Sequence, residues 1–338
     1  MAFPTRVSAI EHTLSVVIPV YQGAGTLESV VDELAPFTVG ARTPLGRRYR
    51  VVEVVLVNDC GPDGSEAVCR AMAERHGWIR VVWLSRNYGQ HAATLAGIAA
   101  TGGQWVVTLD EDGQHDPGAI ADMLDLAISA GLQVVYANPS NRPPHGWARN
   151  AASRITKSIA AGLLTGGDLA NFHSFRLVLG EVARGMAAFC GPGVYLDVAL
   201  NWVSTPAGYW PVAMRAEGGR RSGYSLRALS SHFWRLVISS GTRPLRFISV
   251  VGATLSTIGF FFAAVAVLRR LLDEVPVEGW TSVFVALLIT SGFLMLALGV
   301  IAEYIAVAVK MAMGRPLYLV VSDPASGPLS DTEEFGSR

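Results

Sequence analysis

Trp105-Val106-Val107-Thr108-Leu109-Asp110-Glu111-Asp112-Gly113-Gln114-His115-Asp116-Pro117 is the stretch on which the reading turns. A strand-length run of β-favouring residues ends directly in a knot of acidic and amide side chains. In an extended segment, side chains two apart point the same way, so Asp110, Asp112 and Gln114 would converge. Three hard oxygen donors suit Mg2+ or Mn2+, with the remaining positions left for diphosphate oxygens and water. A cation held there would neutralise a leaving nucleoside diphosphate, which makes Asp112 a catalytic candidate as well as a ligand. The plainer alternative is an acidic cap, led by Asp116, on the helix that Pro117 begins.

Working outward, strand-length apolar runs recur at 14–19, 51–57, 79–84 and 132–137, separated by helix-length segments punctuated by Gly, Asp or Pro. This alternation predicts parallel βαβ units in a doubly wound α/β sheet. Such sheets bind ligands at the carboxyl ends of their strands. The loop after the first run reads Pro19-Val20-Tyr21-Gln22-Gly23, and the loop after the second reads Asn58-Asp59-Cys60-Gly61-Pro62-Asp63-Gly64-Ser65. In a nucleotide site Pro19 and Tyr21 would line the base pocket, and Asp59 would accept hydrogen bonds from base or ribose. Turn and capping chemistry is the alternative for Asp59, and the better one for Asp63 and Ser65. The first loop lacks a Gly-X-Gly-X-X-Gly fingerprint and no P-loop occurs, which argues against a dinucleotide-binding or P-loop protein.

Of the 338 residues, 51% are hydrophobic and 16% charged, and the excess apolar residues lie after about residue 245. Residues 247–268 and 280–301 are two charge-free runs of 22 residues each. Each is long enough to cross a hydrocarbon core of about 30 Å. Arg220, Arg221, Arg227, Arg235, Arg243 and Arg246 precede the first run, and Lys310 and Arg315 follow the second. In the connecting loop Arg269 and Arg270 are offset by Asp273, Glu274 and Glu278. That bias predicts two transmembrane helices with both ends in the cytoplasm. Leu226, Leu229, Phe233, Leu236 and Val237 follow helical spacing, opposite Arg227, Ser231 and Arg235, and predict an amphipathic helix at the bilayer surface. The expected layout is a catalytic domain over 1–225, an interfacial helix over 226–246, two spans over 247–309 and a cytoplasmic tail over 310–338. No signal peptide is expected, because the N-terminal residues run directly into the first strand. Cys60, Cys69 and Cys190 have no metal-ligand spacing and read as reduced cytosolic thiols. The net charge of zero gives no reason to expect nucleic acid as a partner.

Taken in order, Pro19-Val20-Tyr21, the 58–65 loop, Ser85-Arg86-Asn87-Tyr88-Gly89 and the 110–117 stretch resemble the motifs of family 2 glycosyltransferases with the GT-A fold. Towards the end, Ala302-Glu303-Tyr304-Ile305, Lys310 and Gly314-Arg315-Pro316-Leu317-Tyr318 are similar to the close of the polyisoprenyl-phosphate glycosyltransferases. That group includes the undecaprenyl-phosphate glucosyltransferases and the dolichol-phosphate mannose synthases. The resemblance covers roughly residues 13–320. It implies an inverting, metal-dependent transfer from a UDP- or GDP-sugar to a polyisoprenyl phosphate, undecaprenyl phosphate being the bacterial form. It places the enzyme in the cell inner or plasma membrane, facing the cytoplasm, and is compatible with a homo-oligomer such as a tetramer. It assigns phosphate contact to Arg142 and binding of the acceptor phosphate to Arg149 and Ser153, which with Lys157 share one face of a helix expected over 147–164. Arg220 or Arg221 would close over phosphate.

The chemistry fits those residues. A phosphate monoester carries about −1.5 to −2 charge at neutral pH, so it is already a nucleophile. What it needs is help in approaching a second anion, which a cation and arginines supply. The chain departs from the family pattern at Gln22-Gly23, where Asn-Glu is usual, at Asn171, where Asp is common, and at Glu111 and Gly113, in place of Ala and Leu. His91, His115 and His173 read as structural residues or as supports behind the ligands, since no metal-site spacing links them. A processive polysaccharide synthase would carry a Gln-X-X-Arg-Trp motif, which is missing here. The retained Asp110, Asp112 and Gln114 speak against a non-catalytic scaffold.

Overall fold

A computed structural model describes residues 10–141, 173–191, 196–203, 206–215, 243–271, 279–314 and 316–326. These fall into two compact units, one containing the sheet together with residues 316–326 and one containing two long helices.

The sheet unit runs β1 (Glu11–Val20), α1 (Leu27–Thr38), β2 (Ala41–Arg42), β3 (Arg48–Asn58), α2 (Ser65–Arg75), β4 (Ile79–Leu84), α3 (Gln90–Ala99), β5 (Trp105–Thr108), α4 (Ala119–Ala130) and β6 (Val134–Pro139). It continues with β7 (Arg176–Leu179), α5 (Gly180–Phe189), α6 (Leu196–Val203) and β8 (Gly208–Val212). The strand order is β8-β6-β7-β5-β1-β3-β4-β9, where β9 is Val320–Val321 and β2 pairs with the start of β3. β1 is the hub, parallel to β3 from Glu11↔Arg48 to Val20↔Asn58 and parallel to β5 from Leu14↔Trp105 to Val17↔Thr108. β3 and β4 are also parallel, whereas β7 runs antiparallel to both β5 and β6. The doubly wound α/β sheet expected from the sequence is therefore present.

Period-2 patterning sorts the core. Along β1, Leu14, Val16, Ile18 and Val20 face α1, α2 and α4, packing with Leu34, Met72 and Leu124. Val17 faces the other way, into the layer of α3, α5 and α6, with Leu95, Met186 and Leu200. Both faces are covered, as a central parallel strand requires. The four parallel strands end on one edge, where the loops expected to carry chemistry emerge.

Sequence pattern gives no hint of β9. It pairs antiparallel with β4, Trp83↔Val321 and Leu84↔Val320, and the Ser85 N–H donates to the Leu319 carbonyl at 3.0 Å. Leu317 and Tyr318 pack on the α3 side. Asp323 accepts from Arg70 Nε at 2.8 Å, and the Arg70 guanidinium lies 4.9 Å from the Trp83 ring centroid.

In the second unit, α7 spans Arg243–Leu271 and α8 spans Trp280–Ala312. Among the described residues, one stretch is long and apolar enough to cross a membrane. It is Ile289–Val309, with 21 residues, a mean hydropathy of 2.2 and 6% of its most apolar window buried. The apolar part of α7, Ile248–Phe262, is shorter. The expected runs 247–268 and 280–301 both lie within helices, and among the described residues only α8 carries a stretch long and apolar enough to span. The expected interfacial helix over 226–246 lies almost wholly outside the described residues.

Candidate active site

The loop after β1 is held by its neighbours on both sides. The Tyr21 N–H donates to Glu111 Oε2 at 2.8 Å, and the Gln22 N–H donates to Glu111 Oε1 at 2.9 Å. The Gly23 N–H donates to Ser65 Oγ and the Ala24 N–H to Asp63 Oδ2, both at 3.0 Å. Asp63 also accepts from the Ser65 hydroxyl and backbone; burial alone would raise its carboxyl, but these bonds hold it below the usual range. This leaves Asp63 and Ser65 in the structural roles that the sequence suggested. The Tyr21 side chain stays 41% exposed at the edge.

Asp59 follows β3 and is 2% exposed. Its two oxygens accept the N–H groups of Tyr88 and Gly89, at 2.7 and 2.8 Å. Burial raises its carboxyl, and the two amide bonds oppose the shift. Asp59 thus fixes the loop after β4, where Arg86 lies over the Tyr88 ring at 4.3 Å. That loop in turn reaches Asp110, because Gln90 Nε2 donates to Asp110 Oδ1 at 2.6 Å.

Asp110 is gripped from a second side by Ser174, whose hydroxyl donates to Oδ2 at 2.5 Å. Its backbone N–H donates to His115 Nδ1 at 3.1 Å. Buried His115 stacks on Phe175 at 5.2 Å, and its Nε2 lies 3.6 Å from Asp110 Oδ2, so it backs the turn as well as the core. His91 likewise accepts a backbone bond, from Leu196 at 3.3 Å.

The geometry corrects one step of the sequence argument. Residues 110–115 are not extended. β5 ends at Thr108, Glu111 and Asp112 form a turn, and Gly113 takes φ +73°. Within that turn the Gln114 N–H donates to Asp112 Oδ1 at 3.0 Å. Asp110, Asp112 and Gln114 therefore share a tight turn rather than one face of a strand. A second correction concerns Asp116. It accepts the Gly118 N–H at 2.9 Å, one turn before α4, whose own N-cap is Gly118.

The donor chemistry of the turn still fits a hard divalent cation, since two carboxylates and an amide oxygen are oxygen ligands throughout. Among the described residues, no group of three His, Cys, Asp or Glu side chains is placed to hold a metal ion. Filling the coordination shell would take Gln114 and ligand oxygens as well.

The sequence profile described as "Glycosyl transferase family 2" matches residues 15–188, which takes in every loop described above. The chain belongs to glycosyltransferase family 2. Family 2 membership makes the sheet a GT-A fold and the protein a glycosyltransferase. The undecaprenyl-phosphate 4-deoxy-4-formamido-L-arabinose transferase of Sodalis glossinidius is 31% identical over 338 residues, 99% of both chains. Its namesake in Edwardsiella ictaluri is 30% identical over 91% of this chain and 93% of its own. The one from Pseudomonas paraeruginosa is 32% identical over 91% and 89%. Among solved structures, glucosyl-3-phosphoglycerate synthase from Mycobacterium tuberculosis, crystallised with Mn2+, UDP and phosphoglyceric acid, aligns with a TM-score of 0.48 at 19% identity. The alignment covers 69% of this chain and 78% of that one.

Of the residues singled out in the sequence of this glycosyltransferase, Pro19, Tyr21, Asp59, Asp110, Asp112 and Gln114 all lie on the carboxyl edge of the parallel strands. Arg142, Arg149, Ser153, Lys157, Asn171, Arg220 and Arg221 lie outside the described residues. Sequence reasoning missed Gln90, Ser174 and the role of Glu111. Gln90 carried a usable signal, as the first residue of the helix leaving the β4 loop on that edge. Cys60, Cys69 and Cys190 form no disulfide, and burial pushes the Cys69 thiol up to about 12.

Proposed function

We propose that this glycosyltransferase moves a sugar from a nucleoside-diphosphate donor, a UDP- or GDP-sugar, onto undecaprenyl phosphate or a closely related polyprenyl phosphate. One observation carries the reading. The undecaprenyl-phosphate transferases match 91–99% of the chain, so the likeness extends through α7 and α8 and far beyond the catalytic profile. An apolar stretch such as Ile289–Val309 suits an enzyme whose acceptor lives in a bilayer. With α7 as a second span, the layout is a catalytic domain over 1–225, an interfacial helix over 226–246, two membrane helices over 247–309 and a cytoplasmic tail over 310–338.

The chemistry runs on the acceptor's own charge. An oxygen of the lipid phosphate forms the bond to the anomeric carbon. The bond from that carbon to the donor diphosphate breaks, and the nucleoside diphosphate leaves with the electron pair. Attack from the opposite face inverts the anomeric centre. No general base is required, because the attacking oxygen carries no proton to remove. Tyr21 lines the base, and buried Asp59 acts from behind by holding the Tyr88–Gly89 turn. Asp110, Asp112 and Gln114 would hold Mg2+ or Mn2+, which supplies charge for the departing diphosphate. Gln90 and Ser174 keep Asp110 in place. Arg149 and Ser153 take the acceptor phosphate and Arg142 supplies a further phosphate contact, so that two anions can approach.

The test is transfer of labelled sugar into an organic-soluble product, using purified protein, undecaprenyl phosphate and a panel of UDP- and GDP-sugars that includes the 4-deoxy-4-formamido-L-arabinose donor. Mg2+-dependent label in the organic phase, lost with chelator, is expected for one donor. Well-folded protein that labels lipid with no donor would overturn the reading.

A further inference from the structure

Four consecutive N–H groups, from Tyr21 to Ala24, follow the first strand of a parallel sheet. In many nucleotide-binding folds such groups cradle phosphate. Here all four are already spent. Glu111 takes Tyr21 and Gln22, Ser65 takes Gly23 and Asp63 takes Ala24. Two of the three acceptors are carboxylates, so the loop would repel a diphosphate. What it offers a ligand is the half-exposed aromatic ring of Tyr21.

Glu111 is the centre of this arrangement. Its carboxylate grips the loop from the far side of β1, and its backbone carbonyl accepts the Thr26 hydroxyl at 2.6 Å. Gly23 leaves the room. A Cβ built there would lie 2.7 Å from Glu111 Oε2 and 3.3 Å from Glu111 Cβ and Cδ. The carboxylate therefore fills the volume into which a side chain at position 23 would project. Glu111 also sits between Asp110 and Asp112, so one residue ties the Tyr21 loop to the turn that carries the candidate metal ligands.

We infer that Glu111 is a positioning residue for the donor: it fixes the Tyr21 loop as a platform for the nucleotide base and closes that loop to phosphate. The inference rests on the proposed nucleotide-sugar reading and deepens it. It also predicts that, once Glu111 is truncated, a carboxylate carried on position 23 can enter the vacated volume, because a side chain there projects into it.

UDP and GDP are titrated calorimetrically with Mn2+, and transfer kinetics are measured on the same preparations. In Glu111→Ala, nucleotide binding should weaken about tenfold, as expected for losing hydrogen bonds to a charged acceptor. Donor KM should rise in step while the KM for undecaprenyl phosphate stays put. The double variant Glu111→Ala with Gly23→Glu should recover most of the loss. If Glu111→Ala does not fold, Gly23→Ala, which only crowds the carboxylate off the Tyr21 N–H, should show the same split. A folded Glu111→Ala protein that binds nucleotide as the wild type does would overturn the inference and leave the proposed function standing. So would donor and acceptor KM rising together with no recovery in the double variant. A wild-type protein that binds neither nucleotide overturns the donor-site reading itself, and the inference with it.

Discussion

Gly61 lies directly against the backbone of Tyr21: a Cβ at Gly61 would fall 1.5 Å from the Tyr21 carbonyl oxygen and 2.5 Å from its carbonyl carbon. The obstacle is main chain, so no rotamer change relieves it. The loops after β1 and β3 are clamped backbone to backbone, and the clamp sets where the Tyr21 ring stands. Gly61→Ala should therefore force the two loops apart, at a cost of about 1–3 kcal/mol. Differential scanning calorimetry should show a lower melting temperature, and UDP or GDP titration a weaker affinity. Wild-type values in both would show that the loops separate freely.

Asp112 has two duties that a single substitution can separate. Its Oδ1 accepts the Gln114 N–H and so shapes the turn. Its charge would serve the cation and the departing diphosphate. Asp112→Asn keeps an acceptor oxygen but removes the charge. Transfer should fall by about 100-fold or more, with the melting temperature preserved. Initial rates across a Mg2+ or Mn2+ series decide the matter, and full activity in Asp112→Asn would sink the assignment.

Ser174 and Gln90 grip opposite oxygens of Asp110. Ser174→Ala frees Oδ2 without opening a large cavity. Partners that orient a ligating carboxylate are typically worth about 10–100-fold in metal affinity or activity. The apparent Mg2+ affinity in the transfer assay should drop by that order in Ser174→Ala and again in Gln90→Ala. An unchanged metal titration in both variants would mean that Asp110 needs no such support.

Arg176 is 6% exposed and pairs with Asp197, while its Nε donates to Thr108 Oγ1 at 3.1 Å. Truncating one partner of a buried pair strands the other charge and typically costs about 3–5 kcal/mol. Arg176→Ala should therefore destabilise the sheet unit far more than the exposed Arg75→Ala does. Chemical denaturation of the two variants compares them directly, and equal midpoints would contradict the expectation.

These residues also show where sequence reading reached and where it stopped. β1, β3, β4 and β5 announce themselves through apolar runs ending in polar loops, because a doubly covered parallel strand has little choice of side chains. The 110–117 stretch was legible as chemistry but not as shape. Strand alternation does not continue past Thr108, because Gly113 at positive φ and the Asp110–His115 bond close a turn. Gly23 and Glu111 read separately as departures from a motif. They prove to be one feature, joined by contacts across about 90 positions that no local pattern encodes. β9 escaped because two residues carry no periodicity, and its stability comes from the β4 edge and the Arg70–Asp323 pair.

That pair gives a pH-dependent prediction for the tail. The hydrogen bond from Arg70 holds the Asp323 carboxyl below its usual range, and slight burial opposes the shift only partly. A carboxyl depressed in the folded state stabilises fully above its unfolded value of about 4, and the contribution is lost as pH falls through the folded value. Docking of β9 should therefore be firm at neutral pH and in mild acid and weaken only below about pH 4. The Ser85 amide reports on it, because its N–H donates to the Leu319 carbonyl. Hydrogen exchange corrected for intrinsic rates should show Ser85 protection falling below about pH 4 in the wild type. In Asp323→Asn, protection should be lower at neutral pH and nearly flat with pH. Glu66 also contacts Arg70, so Glu66→Gln is the control that should leave the Ser85 profile in place. Identical profiles in the wild type and Asp323→Asn would show that backbone pairing with β4 alone holds the tail.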